Sequence, residues 1–407
     1  MGFQSSRSNA VDDCAVLRES LLLAAVDKAE LKTEMGTFSV SSERGGIEVI
    51  DRWAEEWRSL CAEAVEDQPF YRPEWIKAYV RKWGSKKKVL LIAARSEKRL
   101  CLLLPLLEEL STFSKVPVRR LRAPVNGTCG RFDAVRRAGA EGNAAIQATW
   151  DYLKRLNAWD LLQFSNALEE STVSEIAEAA GANGFLMIRE TDKPNPLVSV
   201  PSEPSVLSQM PPNSKLRSQL RQARRRLAEK GDLKFYRVQT ADRDALDRFY
   251  RLEASGWKGR IRSCALYDGS RTFYDEVAEQ AAHFGYLSLY MLEFNGKLIA
   301  SHFSFTHRNR CYSPKVAYDE DFKLYAPGHL IVSEILQDCA SRGIRDYDIT
   351  GEDQSWKMKW TNQTRAVSHY FIFRGPVGRL AYTVGSRLRP RVESLFGRKG
   401  GLQPDQG

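Results

Sequence analysis

The pair Pro327-Gly328, inside YDEDFKLYAPGHL (318–330), is the place in this 407-residue sequence best suited to hold an anion. Proline at a first helical turn leaves the following amides outward, and glycine lets a ligand approach the backbone closely. Those amides, the positive end of the helix dipole and Lys323 one turn earlier would cradle a pyrophosphate, with His329 beside it. An ordinary capped helix start is the competing reading. Upstream, LIASHFSFT (298–306) alternates as a strand, with Ile299, Ser301, Phe303 and Phe305 on one face and Ala300, His302, Ser304 and Thr306 on the other. A polar face on a central strand predicts a wetted cleft. There His302 either serves as a general base or bonds a neighbouring backbone group. In CYSPKVAY (311–318), Pro314 cannot donate to a ladder, which suits a strand splaying from its neighbour or one at a sheet edge. In YDITGEDQSWKMKW (347–360), Asp348, Glu352, Asp353 and Lys357 follow a strand end, where ligands bind in open α/β sheets. A carboxylate there takes a proton from an incoming amine, holds a polar substrate, or simply caps a helix.

The elements that must position these residues are legible from periodicity. A mixed leader, 1–44, is read as disordered or partly helical, with a possible helix over 17–31. Order is expected from Ile47, where Val49, Trp53 and Trp57 begin to recur at helical spacing. Next come the helix PEWIKAYVRKW, two strands (88–95 and 99–106), a helix near 144–156, the strand WDLLQFSN (159–166), a helix (172–181) and a strand from Phe185. Six prolines across 192–212 read as a linker. The second half offers a strand (233–239), helices near 243–255 and 273–283, and two strands joined by Asn295-Gly296, the strongest local hairpin signal. A third strand, a helix over 327–342 and a strand at 346–350 complete it. Both halves thus read helices, hairpin, strand, helix, strand, as a duplicated α/β unit does. The boundaries are a first unit over 45–200, a second over 205–385, and a basic tail over 386–407, a closing helix broken by Pro390.

Composition narrows the partners. The net charge of +10 suggests nucleic acid. Much of the excess, however, lies in KLRSQLRQARRRLAEK (215–230), whose Leu216, Leu220, Ala223 and Leu227 define one buried stripe under a basic face. No aromatics interleave with the arginines, so single-strand binding is not favoured. The seven cysteines are scattered, none in Cys-x-x-Cys, and make no ligand spacing with the five histidines, so no metal is expected. Without a secretory pattern or eighteen-residue apolar run, a soluble cytoplasmic chain with no membrane span is expected. Met1-Gly2 with Ser6 only mimics a myristoylation signal.

Taken together, IASHFSF (299–305), YDEDFKLYAPG (318–328) and DITGEDQSWK (348–357), with Trp360 three residues on, resemble the CelD-like branch of the GNAT acetyltransferases, relatives of the Fem-type aminoacyl ligases. QPFYRPEWIKAYVRKWG (68–84) and WDLLQF (159–164) extend the resemblance to residues 47–375. Ala326 replaces the family's serine, Gln354 its glutamate and Trp356 its tyrosine, so no acid–base role carries over to position 354. The resemblance implies an α/β fold of two GNAT-like units packed side by side, mixed sheets flanked by helices. It implies acetyl- or acyl-CoA as co-substrate in the second unit. The pantetheine would pair along Val316, Ala317 and Tyr318, and the pyrophosphate would lie on Lys323, Pro327, Gly328 and His329. His302 or Asp348 would take the proton, and Tyr325, Lys357 and Trp360 would contact an amine or hydroxyl acceptor, a small molecule or exopolysaccharide precursor. The first unit, lacking Pro-Gly near 142, would have lost its own cofactor site. Two other classes stay open: a Fem-type transferase using charged tRNA, with 215–230 as its RNA contact, and a non-catalytic partner in polysaccharide assembly.

Overall fold

The computed structural model describes residues 26–33, 36–127 and 130–395. Strands β1 (Val26–Thr33) and β2 (Gly36–Gly45) form an antiparallel pair, so the expectation of an unstructured or helical leader fails from residue 26 onward. The rest of that expectation lies outside the described residues. The reason is strand periodicity: Phe38, Val40 and Ser42 turn inward on β2 while their neighbours face out. Helix α1 (Glu48–Ala62) and helix α2 (Pro73–Tyr79) follow, then the meander β3 (Lys88–Ser96), β4 (Arg99–Phe113) and β5 (Val116–Arg122). After the two-residue strand β6 (Val135–Arg136) come α3 (Ala140–Arg155), β7 (Leu161–Leu168), α4 (Thr172–Ala182) and β8 (Leu186–Ser199). The core of this half holds Trp57, Trp75, Trp150 and Trp159, all essentially inaccessible.

β8 runs eight residues into the expected linker, through Pro194 and Pro196. Leu197 donates its N–H to Gln363 on one side. Strand alternation therefore turns position 196 the other way, where no strand lies beside it, and a missing donor there costs nothing. The basic helix α5 (Ser214–Lys230) buries Leu216, Leu220, Ala223 and Leu227, and the Asn213 side chain caps it through Leu216 N–H at 2.9 Å. Then follow β9 (Leu233–Val238), α6 (Arg243–Ser255), a short turn at Trp257–Arg260, α7 (Arg271–His283), β10 (Leu287–Phe294), β11 (Lys297–His307) and β12 (Arg310–Tyr318). Asn295 and Gly296 both take positive φ, as the tight turn between β10 and β11 requires. A 3₁₀ turn (Glu320–Tyr325), α8 (Pro327–Ser341), β13 (Asp346–Asp348), β14 (Thr364–Phe373) and α9 (Gly375–Leu395) end the described chain. The backbone of α9 stays helical past Pro390, so the expected break there is absent, although proline removes one donor from the helix.

The strands share one mixed sheet in the order β1-β2-β3-β4-β5-β7-β14-β8-β13-β12-β11-β10-β9, with β6 beside β4 and helices on both faces. The two halves repeat one element order, as the sequence predicts. The boundary at 205 does not hold as drawn. β14, a strand not anticipated although its residues fall within the bounds drawn for the second unit, inserts between β7 and β8 of the first, and β8 continues across to pair with β13. Each half thus lends a strand to the junction.

Candidate active site

β12 opens the sheet. It pairs in parallel with β13 only over Arg310–Tyr312, yet pairs with β11 up to Tyr318. Past Tyr312 the two strands part, with one last link from Thr350 Oγ1 to Ser313 O at 3.2 Å. Asp319 N–H donates to Ile299 O at 2.8 Å, so alternation assigns the backbone groups of 315 and 317 to β11 as well. Residues 314, 316 and 318 then face the gap. At 314 the ring nitrogen has no proton to offer, which ends pairing with β13; of the two readings of Pro314, the splay is the one observed. Beyond it, the N–H groups of Val316 and Tyr318 point into open space.

That space is a cleft of about 740 Å³, in the range that holds a sizeable ligand. Val316, Ala317 and Tyr318 form one wall, and Lys323, Pro327, Gly328 and His329 form its mouth. α8 starts from Ala326, held in the left-handed region at φ 47°, and alanine offers no side chain to cap it. A ligand-free helix start would be expected to carry Ser, Thr, Asp or Asn there. The His329 and Leu330 amides turn back to Ala326 O at 2.9 Å, correcting the expectation that all these amides face outward. Gly328 N–H has no acceptor among the described residues. His329 stands differently: Trp360 Nε1–H donates to its Nδ1 at 3.0 Å. Indole nitrogen only donates, so neutral His329 carries its proton on Nε2. Burial first, and the Lys359 charge second, lower its pKa to about 4.

Of the expected catalytic pair, only His302 reaches the cleft, at its floor. The ring is 1 % exposed, with Nδ1 2.7 Å from Tyr347 Oη. Burial, then the charges of Lys258 and Lys357, lower its pKa to about 3. The face expected to be wetted is otherwise closed: Ser304 meets Ser313 at 2.6 Å, and Ser288 meets Thr306 at 2.9 Å. Asp348 is not in the cleft. It is fully buried in a two-pronged ion pair with Arg131, at 2.6 and 2.8 Å, and also accepts Thr350 N–H at 3.0 Å. Burial opposes its ionisation, but Arg131 more than offsets that and keeps the carboxyl below its usual range. A carboxylate so held cannot act as a base for an acceptor.

The expected acceptor contacts also divide. Lys357 lines the cleft, but its ammonium donates to the carbonyls of Thr350 (2.6 Å) and Glu352 (2.9 Å), clamping the wall loop. Burial lowers its pKa to about 8. Trp360 is buried behind His329, and Tyr325 turns outward to Lys230, whose Nζ lies 2.9 Å from its hydroxyl. Neither lines the cleft.

Two charged residues missed in the sequence, Glu253 and Lys258, line the cleft, and a third, Lys315, is paired with Glu253 beside it. Glu253 of α6 takes Lys315 Nζ at 2.9 Å and Lys258 Nζ at 3.4 Å on one oxygen, and Ala265 N–H at 3.0 Å on the other. Lys258 Nζ also donates to Val316 O at 2.8 Å. A signal for Glu253 did exist: it shares the stripe of Leu246, Phe249 and Tyr250, where an amphipathic helix should carry an apolar residue. Lys258 and Lys315 had no comparable local mark.

In the first half, the loop after β5 folds inward, burying Val125, Phe132 and Ala134, while Asp133 accepts the Thr172 and Val173 amides at the start of α4. α3 begins at Ala140 after Gly139, with no proline.

Residues 214–358 match the family model of the acetyltransferase (GNAT) domain. The second half therefore carries a GNAT-type acetyltransferase domain, and the cleft lies within it. A solved structure of FemX aligns with 81 % of this chain and 98 % of its own at 11 % identity and a TM-score of 0.55, which supports the shared fold. The C-terminal DUF2156 domain of a proposed lysylphosphatidylglycerol synthetase from Agrobacterium fabrum covers 83 % of this chain and 96 % of its own (13 % identity, TM-score 0.49). A tandem GNAT protein from the clavulanic acid biosynthesis pathway covers 86 % and 99 % (13 % identity, TM-score 0.39). No curated protein matches the sequence.

Proposed function

We propose that this protein is an acyl-CoA-dependent acyltransferase, moving an acetyl or other acyl group to an amine or hydroxyl of a small molecule or saccharide precursor, as in the CelD-like branch. The observation that carries the reading is one cleft holding both an open strand edge and an uncapped helix start. The chain's own groups fit such a donor. Gly328 N–H, His329 Nε2–H, exposed Lys323 and the α8 dipole face a diphosphate. The outward N–H of Tyr318, nearer the helix start, suits the amide arm, and that of Val316 suits the thioester carbonyl. An N–H fixed toward that oxygen stabilises the charge developing there during attack. Transfer then needs only an acceptor held in line, with no covalent enzyme intermediate. His302, neutral and weakly basic, accepts a hydrogen bond and orients the acceptor rather than keeping its proton.

The charged-tRNA alternative gains little from α5. Arg217 is spent on the carbonyls of Gln209, Pro211 and Pro212, Arg224 on Glu334, and Lys230 on Tyr325. Only Lys215, Arg221 and Arg226 lack a partner among the described residues.

A thermal-shift titration with acetyl-CoA tests the proposal, beside a Gly328→Trp variant whose indole would fill the mouth of the cleft. Ligand at a hundred times its dissociation constant stabilises the native state by about 2.7 kcal/mol. The expected result is a shift in the wild type and none in the variant. No shift in the wild type at millimolar acetyl-CoA would overturn the reading.

A further inference from the structure

Glu253 and Lys258 line the cleft, and Lys315 shares the same carboxylate from outside it, an unbalanced set. Lys315 Nζ is the closer partner of Glu253, at 2.9 Å, and is 8 % exposed. Lys258 is the looser one, at 3.4 Å, and leaves 22 % of its side chain open to the cleft. One negative charge cannot fully offset two ammonium groups in a poorly hydrated site, so the looser amine is the one whose charged form is less favoured. In agreement, burial and the Lys315 charge outweigh Glu253 and hold the Lys258 amine below lysine's usual range. Its Nζ rests 2.8 Å from Val316 O. In a strand the N–H and C=O of one residue point the same way, so this amine stands beside the Val316 N–H assigned above to the thioester carbonyl.

From this geometry we infer that Lys258 is an internal acyl acceptor: with donor bound and no external acceptor, the acyl group passes to its own Nζ. The inference rests on the acyl-CoA reading of the cleft. The Lys258 nitrogen lone pair forms a C–N bond to the thioester carbonyl carbon, the C–S bond breaks, and the proton lost from nitrogen goes to the departing thiolate. The products are Nε-acyl-lysine and free CoA. The amide that results is neutral, leaves Glu253 to Lys315 alone and fills the place an acceptor must use, so an acylated chain is silenced until the group is removed. Among the other lysines of the cleft, Lys357 points to the carbonyls of the 350–352 loop and not to Val316, and Lys323 is exposed; only Lys258 bonds to the Val316 edge.

The experiment is peptide mass mapping of the full chain after incubation with acetyl-CoA alone, across pH 6 to 9. The wild type, a Lys258→Arg variant and the Gly328→Trp variant are compared, with donor binding followed in parallel by thermal shift. Each pKa unit of lowering leaves roughly tenfold more free amine at a pH below both values. Lys258 should therefore be acetylated at lower pH and faster than exposed Lys323 or Lys230. Labelling of Lys258 should vanish in Gly328→Trp, while Lys258→Arg should gain no acetyl group in the cleft yet keep its thermal shift. Acetylation confined to exposed lysines, with a clear thermal shift, would overturn the inference and leave the acyl-CoA reading standing. Absence of any thermal shift would overturn both. Lys258 labelling that persists unchanged in Gly328→Trp would mark solution chemistry and also reject the inference.

Discussion

His302 and His329 stand in one cleft as neutral imidazoles for different reasons. His329 is fixed by an indole donor that its Nδ1 must accept, whereas His302 is held neutral chiefly by burial. The His302 pKa falls from 6.5 to about 3 on folding. Between those values the unfolded chain binds a proton that the native one refuses, so stability is full above pH 6.5 and falls as the pH drops. The slope from this residue is about 1.4 kcal/mol per pH unit within that window. His302→Gln removes the titrating group, and its stability measured by urea unfolding should fall less steeply on acidification by that amount. Acid limbs that run parallel in the two proteins would show that His302 is not buried as described. The same residue scale explains what the sequence could and could not reveal. His302, Lys323 and Gly328 were legible because strand parity and a helix start are local patterns. The exclusion of Asp348 was not, since its partner Arg131 lies 217 positions away. Glu253 and Lys315, 62 apart, meet only once α6 crosses β12.

At the scale of elements, the wall of the cleft is held from the far half of the molecule. Arg131, on the loop after β5, grips Asp348 at the end of β13. It also donates to Asn195 Oδ1 at 2.7 Å, and Asn195 in turn donates to Gly351 O at 2.8 Å. Lys357 clamps the same loop through its carbonyls. Arg131 of the first unit therefore supports the wall of the second unit's cleft. Both charges of the Arg131–Asp348 pair are at most 2 % exposed. Removing one partner strands the other without water, which costs about 3–5 kcal/mol, whereas replacing both with apolar residues can be close to neutral. Arg131→Met should lose about that much in urea unfolding, and Arg131→Met with Asp348→Leu should recover most of it. A single variant that loses less than about 1 kcal/mol would mean that the pair is hydrated and the network loose. Why element order was readable and pairing was not follows from the same physics. Alternation, Asn-Gly and Pro-Gly specify many elements from their own residues, although β1, β2 and β14 were not anticipated. Nothing within TRAVSHYFIF says which two strands will flank it.

For the whole molecule, that strand decides how the halves depend on each other. β14 supplies the shared neighbour of β7 and β8, and α9 behind it closes a small core of Phe113, Val118, Leu161, Phe373 and Ala381. Had the second unit ended as its sequence suggests, removing its last strand would injure only itself. The observed pairing reverses that expectation. A chain ending at residue 362 keeps every residue of the first half, yet exposes two strand edges and the apolar face beneath α9, a template for aggregation. It should run as aggregate on size exclusion and lose the near-ultraviolet circular dichroism that the packed tryptophans of the first half provide. A peptide covering 363–386, present during refolding, should restore part of that signal by filling the vacant strand position. If the shortened chain were instead monodisperse and melted as the full one does, β14 would be an accessory strand, and the two units would be stable independently of the exchange between them.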